Sequence, residues 1–485
     1  MRLDQLLNGI EYECECDIPL DFEIKNVTDD SRKVLENTLF VCVKGEKYDG
    51  HIFAKTAEQA GCVAIVAEHK TESNLPHIIV KNSRQALSLL CANLFENPLK
   101  KIKLIGVTGT NGKTTTTYIL KHILEQNGHK TGLIGTIQNM AGSVTLPTQF
   151  TTPEPFELQK LFRDMVTAGC EYVVMEVSSQ ALEQERVFGC KFIAALFTNL
   201  SQDHLDYHKS MENYLMAKQK LFEQTNIAVI NLDDPSSQKI ISGISCKTIT
   251  YSTKDMNADY TARNINYRPN GTDYDVVGLG IIGRAKLGLL GGFNVYNTLA
   301  SVSCAVSLGL PLQGVLDALR TSKGVKGRVE VVPTGRNFNV IIDYAHTPDA
   351  LLKVLQSINV FKQGRAVVLF GCGGDRDKTK RAQMGKIAID NADYVIITSD
   401  NPRTEPPMSI IDDILQGIGK TKTPHITIEN RKQAIKYAIE NAQKDDIIIL
   451  AGKGHEDYQI IGTEKLHFDE REVVEETLSK LGVRS

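Results

Sequence analysis

The chain has 485 residues, of which 42% are hydrophobic and 23% are charged, and its formal net charge at pH 7 is −3. This composition is typical of globular proteins, and the small net charge gives no reason to expect nucleic acid or an anionic membrane as a partner. No apolar run approaches the length of a membrane span, and residues 1–5 lack the apolar core of a signal peptide. At about 150 residues per domain, the length predicts about three domains.

The ten cysteines are scattered along the chain, and only Cys14 and Cys16 lie close together. A single Cys-x-Cys pair is a weak zinc signal, because no second pair follows it at ligand spacing. We therefore expect reduced thiols, most of them buried, in a cytoplasmic protein.

The first hundred residues alternate short strands with helices. Apolar runs predict strands at residues 38–43, 63–66 and 77–80. The apolar spacing over residues 83–95 predicts an amphipathic helix with Ser83 as its N-cap. Asn97-Pro98 then interrupts the pattern. The sequence predicts a small α/β domain over residues 1–99.

A glycine-rich turn follows the apolar run at residues 103–107 and precedes a predicted helix over residues 114–126. Its sequence is Thr108-Gly109-Thr110-Asn111-Gly112-Lys113-Thr114. Such a turn presents backbone N–H groups and a helix N-terminus to phosphate, a lysine to the outer phosphates and a threonine hydroxyl to Mg²⁺. The strict phosphate-loop pattern needs a glycine where Val107 stands. The turn therefore predicts a nucleoside triphosphate site of a variant kind.

Two further buried strands are predicted in the middle of the chain, over residues 172–177 and 194–198. Strands that alternate with helices form parallel sheets, and ligands bind at the carboxyl ends of their strands. The polar residues at those ends are Glu176, Ser178, Asn199 and His204. Because Glu176 ends a buried strand downstream of the phosphate loop, its carboxylate is a candidate Mg²⁺ ligand.

For two side chains near this region, the residues alone do not decide between a structural and a functional role. Lys218 lies in the predicted helix over residues 214–222, where the pattern favours a solvated charge on an amphipathic helix. A lone histidine is more often structural than a ligand, but His204 falls in a segment dense in ligand types, residues 203–208.

Residues 251–290 are predicted to form antiparallel β structure, with turn residues Pro269-Asn270-Gly271. Alternating strands and helices then return, with strands predicted at residues 340–343, 366–370, 394–398 and 446–451. The predicted fold class is α/β with three domains. These are the small N-terminal domain (1–99), a central phosphate-loop-type domain with a mainly parallel sheet and helices (100–329), and a C-terminal Rossmann-like α/β domain (330–485).

Taken in chain order, these motifs resemble the Mur ligase family, whose members are ATP-dependent, amide-forming enzymes of peptidoglycan precursor synthesis. The matching segments are residues 108–114, 176–179, 199–208, 292–297, 327–330, 343–348, 371–381, 400–403 and 451–456. The resemblance spans the whole chain, and it explains the glycine missing at Val107.

The segment Asp400-Asn401-Pro402-Arg403 resembles the form found in family members that add meso-diaminopimelate, whereas lysine-adding members lack the arginine. The second carboxylate of diaminopimelate can accept two parallel hydrogen bonds from a guanidinium group, and lysine would leave that group unpaired. By resemblance the pocket is completed by Arg376, Gly452 and Glu456, with Glu456 suited to an ammonium group. The implied reaction joins this amino acid to the D-glutamate of UDP-N-acetylmuramoyl-L-alanyl-D-glutamate through an acyl phosphate.

The resemblance also implies the remaining ligand sets. The ATP residues are Gly109, Thr110, Asn111, Gly112, Lys113, Thr114, Thr115, Asn294, Arg328 and Asp343. The residues for the UDP-muramoyl dipeptide are Ser31, Thr151, Thr152, Ser178, Gln184 and Arg186. Catalytic roles are implied for Lys113, Glu176, His204 and Lys218. Two Mg²⁺ ions are expected, with ligands from Thr114, Glu176, His204 and Lys218 after carbon dioxide converts Lys218 into a carbamate.

Two other functions remain open on the sequence. Folylpolyglutamate synthetase shares the loop and the modified lysine, although residues 400–403 and an N-terminal domain with Ser31 argue against it. A nucleotide-dependent switch would hydrolyse ATP without regard to any amino acid. We expect small-molecule substrates, no nucleic acid or membrane partner, and a monomer.

Overall fold

The computed structural model describes residues 1–14, 19–45, 48–268 and 271–482. Cys16, one half of the Cys-x-Cys pair, lies outside this part of the chain. Within these ranges the strands form four sheets, and no helix is long and apolar enough to cross a membrane.

The N-terminal part is a five-stranded sheet with helices packed on it. Its strands are β1 (Tyr12–Cys14), β2 (Asn26–Thr28), β3 (Thr38–Val41), β4 (Cys62–Ala67) and β5 (His77–Val80). Its helices are α1 (Leu3–Leu6), α2 (Ala54–Gln59) and α3 (Ser83–Leu94). The strand order is β1-β5-β4-β3-β2. The three predicted strands and the predicted helix are confirmed.

The predicted N-cap of α3 is wrong by one residue. The Asn82 side chain accepts hydrogen bonds from the backbone N–H groups of Arg84 and Gln85, at 3.0 and 3.1 Å. The Ser83 hydroxyl instead donates to Glu68 at 3.0 Å. Asparagine caps helices as well as serine does, and Ser83 has a tertiary partner, so Asn82 takes the capping position.

The central part contains an eleven-stranded sheet. Its strands are β6 (Lys103–Thr108), β7 (Thr131–Ile134), β8 (Asn139–Ala141), β9 (Val144–Leu146), β10 (Tyr172–Glu176), β11 (Phe192–Phe197), β12 (Ile227–Asn231), β13 (Lys247–Ser252), β14 (Tyr260–Arg268), β15 (Gly271–Gly278) and β16 (Ile281–Leu287). Its helices are α4 (Lys113–Gln126), α5 (Pro155–Thr167), α6 (Ser179–Glu183), α7 (Leu205–His208), α8 (Met211–Glu223), α9 (Ser237–Ser242), α10 (Gly292–Ser307) and α11 (Leu312–Thr321). The strand order is β16-β15-β14-β13-β12-β11-β6-β10-β7-β8-β9.

The middle of this sheet is parallel, from β13 across to β7. Strands β14, β15 and β16 pair antiparallel, which confirms the predicted antiparallel structure from Tyr260 onward. The prediction is wrong for its first residues, Tyr251 and Ser252, because they belong to β13, which pairs in parallel with both neighbours. The predicted turn residues Pro269 and Asn270 lie outside the described residues.

The C-terminal part has a six-stranded sheet and a two-stranded ribbon. The strands are β17 (Glu330–Val332), β18 (Asn339–Asp343), β19 (Ala366–Phe370), β20 (Tyr394–Ile397), β21 (His425–Thr427), β22 (Ile447–Ala451), and β23 (Tyr458–Ile461) with β24 (Glu464–His467) in the ribbon. The helices are α12 (Pro348–Asn359), α13 (Thr379–Asn391), α14 (Pro407–Leu415), α15 (Arg431–Glu440) and α16 (Glu470–Lys480). The strand order is β17-β18-β22-β19-β20-β21, parallel except for β17.

Buried hydrophobic clusters lie on both faces of the central and C-terminal sheets. This two-sided burial explains why the parallel strands read as continuous apolar runs in the sequence. The carboxyl ends of β6, β10 and β11 meet at one edge of the central sheet, because these strands are neighbours and parallel. The predicted domain boundaries fall between the sheets and stay a prediction.

Candidate active site

The glycine-rich loop joins the end of β6 to the start of α4. Gly109 has φ +141°, and a Cβ there would lie 1.9 Å from the Thr198 hydroxyl oxygen. Gly112 has φ +86° and immediately precedes α4. The Lys113 ammonium donates to the carbonyls of Gly109 and Thr110, both at 2.8 Å. The backbone can turn this sharply only because both positions are glycine. The resulting loop has the form that binds phosphate at a helix N-terminus.

Glu176 ends β10 and contacts the loop. Its side chain accepts a hydrogen bond from the Thr114 hydroxyl at 2.9 Å and another from the Thr136 backbone N–H at 2.9 Å, and the residue is 1% exposed. A carboxylate beside a hydroxyl provides the hard oxygen ligands that Mg²⁺ prefers. Within the described residues no three His, Cys, Asp or Glu side chains cluster as a metal site.

Lys218 is buried, so the solvated position expected from the helix pattern is wrong. The residue is 1% exposed, its ammonium donates to the Gly109 carbonyl at 2.9 Å, and it lies 4.3 Å from the Tyr214 ring centre. Burial lowers the pKa of Lys218 well below its usual value, and the Lys113 charge lowers it further. Lys218 follows buried Tyr214 by four residues and precedes buried Leu221 by three, so it lies on the buried face of α8.

His204 lies at the rim of the site, beside Asp203. Its side chain is 42% exposed, and its Nε2 lies 3.4 Å from the Asp203 carboxylate. Although the side chain is partly exposed, the protein atoms around it desolvate the ring and lower the pKa of His204, whereas Asp203 acts in the opposite direction. The neighbouring His208 is instead buried, hydrogen-bonded to the Ser179 hydroxyl at 2.8 Å and stacked on Tyr214. Of these two histidines, His204 is the one that lines the cleft described next.

A cleft of about 600 Å³ lies between the central and C-terminal sheets. The predicted site residues that line it are Thr110, Asn111, Gly112, Lys113, Thr114, Thr115, Thr151, Glu176, Ser178, His204, Arg328 and Asp343. The two parts of the chain also touch directly across it, since the Asn111 amide donates to Asp349 at 3.0 Å. The structure thus brings most of the predicted ATP residues to one cavity.

Arg328 approaches the phosphate loop from the C-terminal side. Its guanidinium donates to the Thr114 hydroxyl at 3.3 Å and packs over the Tyr344 ring at 4.4 Å. Its Nε is buried without a hydrogen-bond partner in the described chain. A buried donor without a partner is costly, and a phosphate oxygen would satisfy it. The nearby Asp343 accepts two backbone N–H bonds, at 2.7 and 2.8 Å.

Asn294 does not line the cleft, although Gly292, Phe293 and Asn297 beside it do. It is 2% exposed, its amide donates to the Leu290 carbonyl at 2.8 Å, and its amide oxygen accepts from Asn297 at 3.0 Å. Asn297, which the sequence analysis did not single out, lines the cleft in its place. The role of Asn294 stays a prediction.

The residues expected to hold the dipeptide gather around the end of β10. Thr152 donates to the Glu176 carbonyl at 2.8 Å and accepts from the Ser178 backbone N–H at 3.0 Å. Arg186 donates to the Thr152 carbonyl at 2.9 Å and to the Gln184 amide oxygen at 2.6 Å. Five of the six predicted positions, counting Thr151, therefore form one neighbourhood.

The sixth position, Ser31, lies elsewhere. It begins a short 3₁₀ turn, Ser31–Lys33, in the N-terminal part and does not line the cleft. Thr151, by contrast, lies close to Glu176. Its hydroxyl is 3.0 Å from the Thr136 hydroxyl, which in turn donates a hydrogen bond to the Glu176 carboxylate. Thr136 is a site neighbour that the sequence analysis missed, because no motif marks it.

The predicted amino-acid pocket lies at the carboxyl ends of β19, β20 and β22. Arg403 has φ +51°, donates from its guanidinium to the Gly374 carbonyl at 2.8 Å, and is held through its backbone N–H by the Ile460 carbonyl at 3.1 Å. Burial lowers the pKa of Arg403, and the charge of Arg376 lowers it further. Gly452 has φ +115°, and a Cβ there would lie 2.7 Å from the Asp400 carboxylate.

Lys453 is a buried residue of this pocket to which the sequence analysis assigns no role. It is 0% exposed, and its ammonium lies 3.0 Å from the Asn401 amide oxygen, 3.2 Å from the Glu456 carboxylate and 3.5 Å from that of Asp400. Glu456, expected to bind a ligand ammonium, therefore already has a cation of the chain itself beside it. The matched segment 451–456 was the available signal, but it does not reveal the burial of Lys453.

Three family profiles match the chain. They are described as "Mur ligase family, catalytic domain" over residues 23–93, "Mur ligase middle domain" over residues 107–305, and "Mur ligase, glutamate ligase domain" over residues 327–454. They fall on the five-, eleven- and six-stranded sheets, respectively.

Two curated relatives and one solved structure resemble the chain over its full length. The chain is 47% identical over 483 residues to the UDP-N-acetylmuramoyl-L-alanyl-D-glutamate–2,6-diaminopimelate ligase of Caldanaerobacter subterraneus subsp. tengcongensis, with 99% of each chain covered. It is 46% identical over 486 residues to the ligase of that name, numbered 1, from Clostridium acetobutylicum, with 99% of this chain and 100% of the relative covered. A solved structure bearing the same ligase name superposes with a TM-score of 0.73 at 33% identity and covers 100% of both chains.

Proposed function

The chain belongs to the Mur ligase family, and from this premise we propose that it joins meso-diaminopimelate to the D-glutamate of UDP-N-acetylmuramoyl-L-alanyl-D-glutamate. As a member of the family it is an ATP-dependent ligase that forms amide bonds, and the reaction is a step of peptidoglycan precursor synthesis. The observation that carries the choice of amino acid is Arg403, which closes the segment Asp400-Asn401-Pro402-Arg403 in a pocket of the C-terminal part.

The reaction proceeds in two steps. The γ-phosphoryl group of ATP passes to the D-glutamate carboxylate, which gives an acyl phosphate and ADP. The diaminopimelate amine then attacks the acyl carbon, inorganic phosphate leaves, and the nitrogen loses a proton as the amide forms. Lys113 and the loop N–H groups stabilise the charge on the transferring phosphoryl group, and Arg328 offers its buried Nε to a phosphate oxygen.

The oxygen atoms of Thr114 and Glu176 fit a Mg²⁺ ion, since they lie 2.9 Å apart. When bound, Mg²⁺ would neutralise phosphate charge and so ease the approach of the carboxylate. We assign His204 and Lys218 to a second ion on the resemblance, with Lys218 acting as its carbamate. Lys218 suits that modification because carbon dioxide reacts with the neutral amine, which burial favours by lowering the pKa of Lys218.

At the amino-acid pocket, we assign the distal carboxylate of diaminopimelate to the guanidinium of Arg403, with Arg376 nearby. A planar guanidinium can donate two parallel hydrogen bonds to a carboxylate, whereas the distal end of lysine has no carboxylate to accept them. With lysine as the substrate, the charge of the half-buried Arg403 would have no carboxylate partner, which disfavours binding of lysine at this site. The same pocket supplies Glu456 for an ammonium group.

The division into domains at residues 1–99, 100–329 and 330–485 is part of the proposal, as are the monomeric state and the cytoplasmic location. With these boundaries most of the dipeptide and nucleotide residues lie in the central domain, whereas the amino-acid residues Arg376, Arg403 and Glu456 lie in the C-terminal domain. Water must be kept from an acyl phosphate, so we propose that the domains close over the cleft before the chemistry.

The proposal is tested by measuring ADP release with two pairs of substrates. We expect release with UDP-N-acetylmuramoyl-L-alanyl-D-glutamate and meso-diaminopimelate together, and none when either is omitted. Folate with glutamate is expected to give none. Turnover of the folate pair alone would identify a folylpolyglutamate synthetase, and ATP hydrolysis indifferent to both substrates would identify a switch.

Replacing Glu176 by glutamine is expected to lower kcat by about 10²- to 10³-fold, the usual loss when one electrostatic stabiliser is removed. Glutamine can still accept from the Thr136 backbone N–H through its one oxygen and donate from its amide to the Thr114 hydroxyl, while the charge proposed to bind Mg²⁺ is lost. The measurement is kcat across a Mg²⁺ titration. Glu171→Gln is the matched control, because Glu171 directly precedes β10 at its other end and its side chain is 55% exposed. An unchanged Mg²⁺ requirement in Glu176→Gln would contradict the assignment.

A further inference from the structure

Five charged side chains are packed together behind the amino-acid pocket. This cluster, called here the Lys453 cluster, consists of Asp400, Arg431, Lys453, Glu456 and Glu470. Lys453 is 0% exposed, Glu470 1%, Arg431 2% and Asp400 6%. Charges are almost never buried to this extent unless they are paired, so the way in which they pair is informative.

Arg431 and Glu470 form a buried ion pair through one oxygen of Glu470, Oε1, while Oε2 has no hydrogen-bond partner among the described residues. The Arg431 guanidinium donates to the Glu470 carboxylate at 2.8 and 2.7 Å and to the Ala451 carbonyl at 2.8 Å. These two groups carry one positive and one negative charge, and the Arg431 charge acts on Asp400 as well, where burial raises the pKa and Lys453 and then Arg431 lower it. The ion-pair contacts of Lys453 are with the other two carboxylates.

Lys453 lies between Asp400 and Glu456. Two carboxylates thus share one ammonium group, and one negative charge remains without a counter-charge inside the cluster. Glu456 is the more exposed of the two, with 13% of its side chain accessible against 8% for Asp400. The surplus charge is therefore nearest to solvent at Glu456, beside the pocket.

The hydrogen bonds of Glu456 leave one of its oxygens available. Both Lys453 and the Asn401 amide donate to Oε2, at 3.2 and 2.9 Å. Lys453 also donates to the amide oxygen of Asn401, which fixes the amide and points its NH₂ group at Glu456. Among the described residues both donors lie on Oε2, so Oε1 can accept from a ligand.

We propose that Lys453 is a positioning residue for the amino-acid substrate: it holds Glu456 and Asn401 in place, and it leaves one carboxylate charge for the substrate ammonium. This inference rests on the proposed function. The ammonium in question is the one at the distal end of diaminopimelate, next to the carboxylate assigned to Arg403. Lys453 would contact no substrate atom and would act through Glu456.

The protonation of Glu456 depends on Lys453. The titratable and charged groups that face the Glu456 carboxyl are Lys453, Asp400, Arg403, Tyr344 and Tyr458. Burial raises the pKa of Glu456 and Asp400 raises it too, while Lys453 lowers it. Without Lys453 the pKa of Glu456 rises further. The carboxyl would then stay protonated to a higher pH than in the wild type and, while protonated, would lose its attraction for an ammonium group.

The decisive variant is Lys453→Met, which keeps an unbranched side chain and removes the charge. We expect the KM for diaminopimelate to rise at least tenfold at pH 6.5, while the KM for ATP stays within twofold. The difference between the variant and the wild type in the KM for diaminopimelate should shrink as the pH is raised to 8.5, because Glu456 ionises again. Adding Glu456→Gln to this variant should abolish that pH dependence, since the titrating carboxyl is gone.

Lys465→Met is the matched control. Lys465 lies on the exposed ribbon strand β24, 3.7 Å from the Tyr458 ring centre, whereas Lys453 lies 5.8 Å from the same ring. We expect the KM values of Lys465→Met to stay within twofold of the wild-type values.

Lys453→Gln, which keeps a hydrogen-bond donor but no charge, serves as the second variant. It should show the same pH-dependent KM for diaminopimelate as Lys453→Met.

A pH-independent rise, or equal rises in the KM for ATP and for diaminopimelate, would overturn the positioning role and indicate a structural one. An unchanged KM for diaminopimelate would overturn it as well. Failure of the proposed function is a separate outcome, because the wild-type protein would then not use diaminopimelate at any pH. The wild-type assay therefore decides the function, and the Lys453 variants decide this inference.

Discussion

Lys218→Ala is expected to lower kcat by about 10³-fold, at the upper end of what one electrostatic group contributes. The residue is 1% exposed and sits against the Gly109 carbonyl, so alanine removes both the proposed carbamate and a contact that supports the phosphate loop. Short carboxylates such as formate or acetate should restore part of the activity, because they can enter the space left by the side chain and supply an anionic oxygen. Phosphate release with and without added carboxylate is the measurement.

Lys220→Ala is the matched control for this variant. Lys220 lies two residues further along α8, with 34% of its side chain exposed, and pairs with Glu183 at 3.2 Å. We expect its kcat to stay within twofold of the wild-type value. Full activity in Lys218→Ala would refute the carbamate role. Loss of activity without any rescue, in a protein with a lowered melting temperature, would assign Lys218 to supporting the loop alone.

Arg403→Ala is expected to raise the KM for meso-diaminopimelate about 100-fold and to leave the KM for ATP within twofold. Truncating one partner of a buried, hydrogen-bonded charge pair costs roughly 2 to 5 kcal/mol, and about 2.7 kcal/mol corresponds to a factor of 100. The backbone of Arg403 has φ +51°, a strain that alanine shares with arginine, so the change in KM reports the side chain. Steady-state kinetics with each substrate varied in turn gives both values.

Arg403→Lys is the graded control, since it keeps the positive charge and loses the planar fork. We expect a KM for diaminopimelate between those of the wild type and Arg403→Ala. Equal increases in the KM for ATP and for diaminopimelate would point to misfolding of the pocket. We do not expect misfolding, because contacts other than the Arg403 side chain also hold residues 400–403 in place. One of them is the hydrogen bond from the Arg403 backbone N–H to the Ile460 carbonyl at 3.1 Å.

Local features of the site were predictable from the sequence, because they depend on neighbours in the chain. The phosphate loop is one, since strand, glycines, lysine and helix follow one another within residues 103–126. Glu176 is another, because parallel strands bring their carboxyl ends to one edge whatever the details of packing. The contact between Thr114 and Glu176 follows from that geometry.

Burial was harder to predict, because it depends on which elements pack together. The polar neighbours of Lys218 suggested a solvated helix face, yet α8 turns that residue toward the loop. Lys453 stands between glycines in a loop, and only the fold shows that two carboxylates enclose it. Asn82 displaced Ser83 as a cap because Glu68, 15 residues away, binds the serine.

The choice between the two amino acids is measured by a ligation assay of the wild-type protein with meso-diaminopimelate and with lysine, side by side. Each reaction contains ATP, Mg²⁺ and UDP-N-acetylmuramoyl-L-alanyl-D-glutamate, and the product is identified by its mass. We expect the diaminopimelate tripeptide with equimolar ADP and phosphate, and little or no lysine product. Ligation of lysine as efficient as that of diaminopimelate, or no ligation of diaminopimelate, would contradict this expectation.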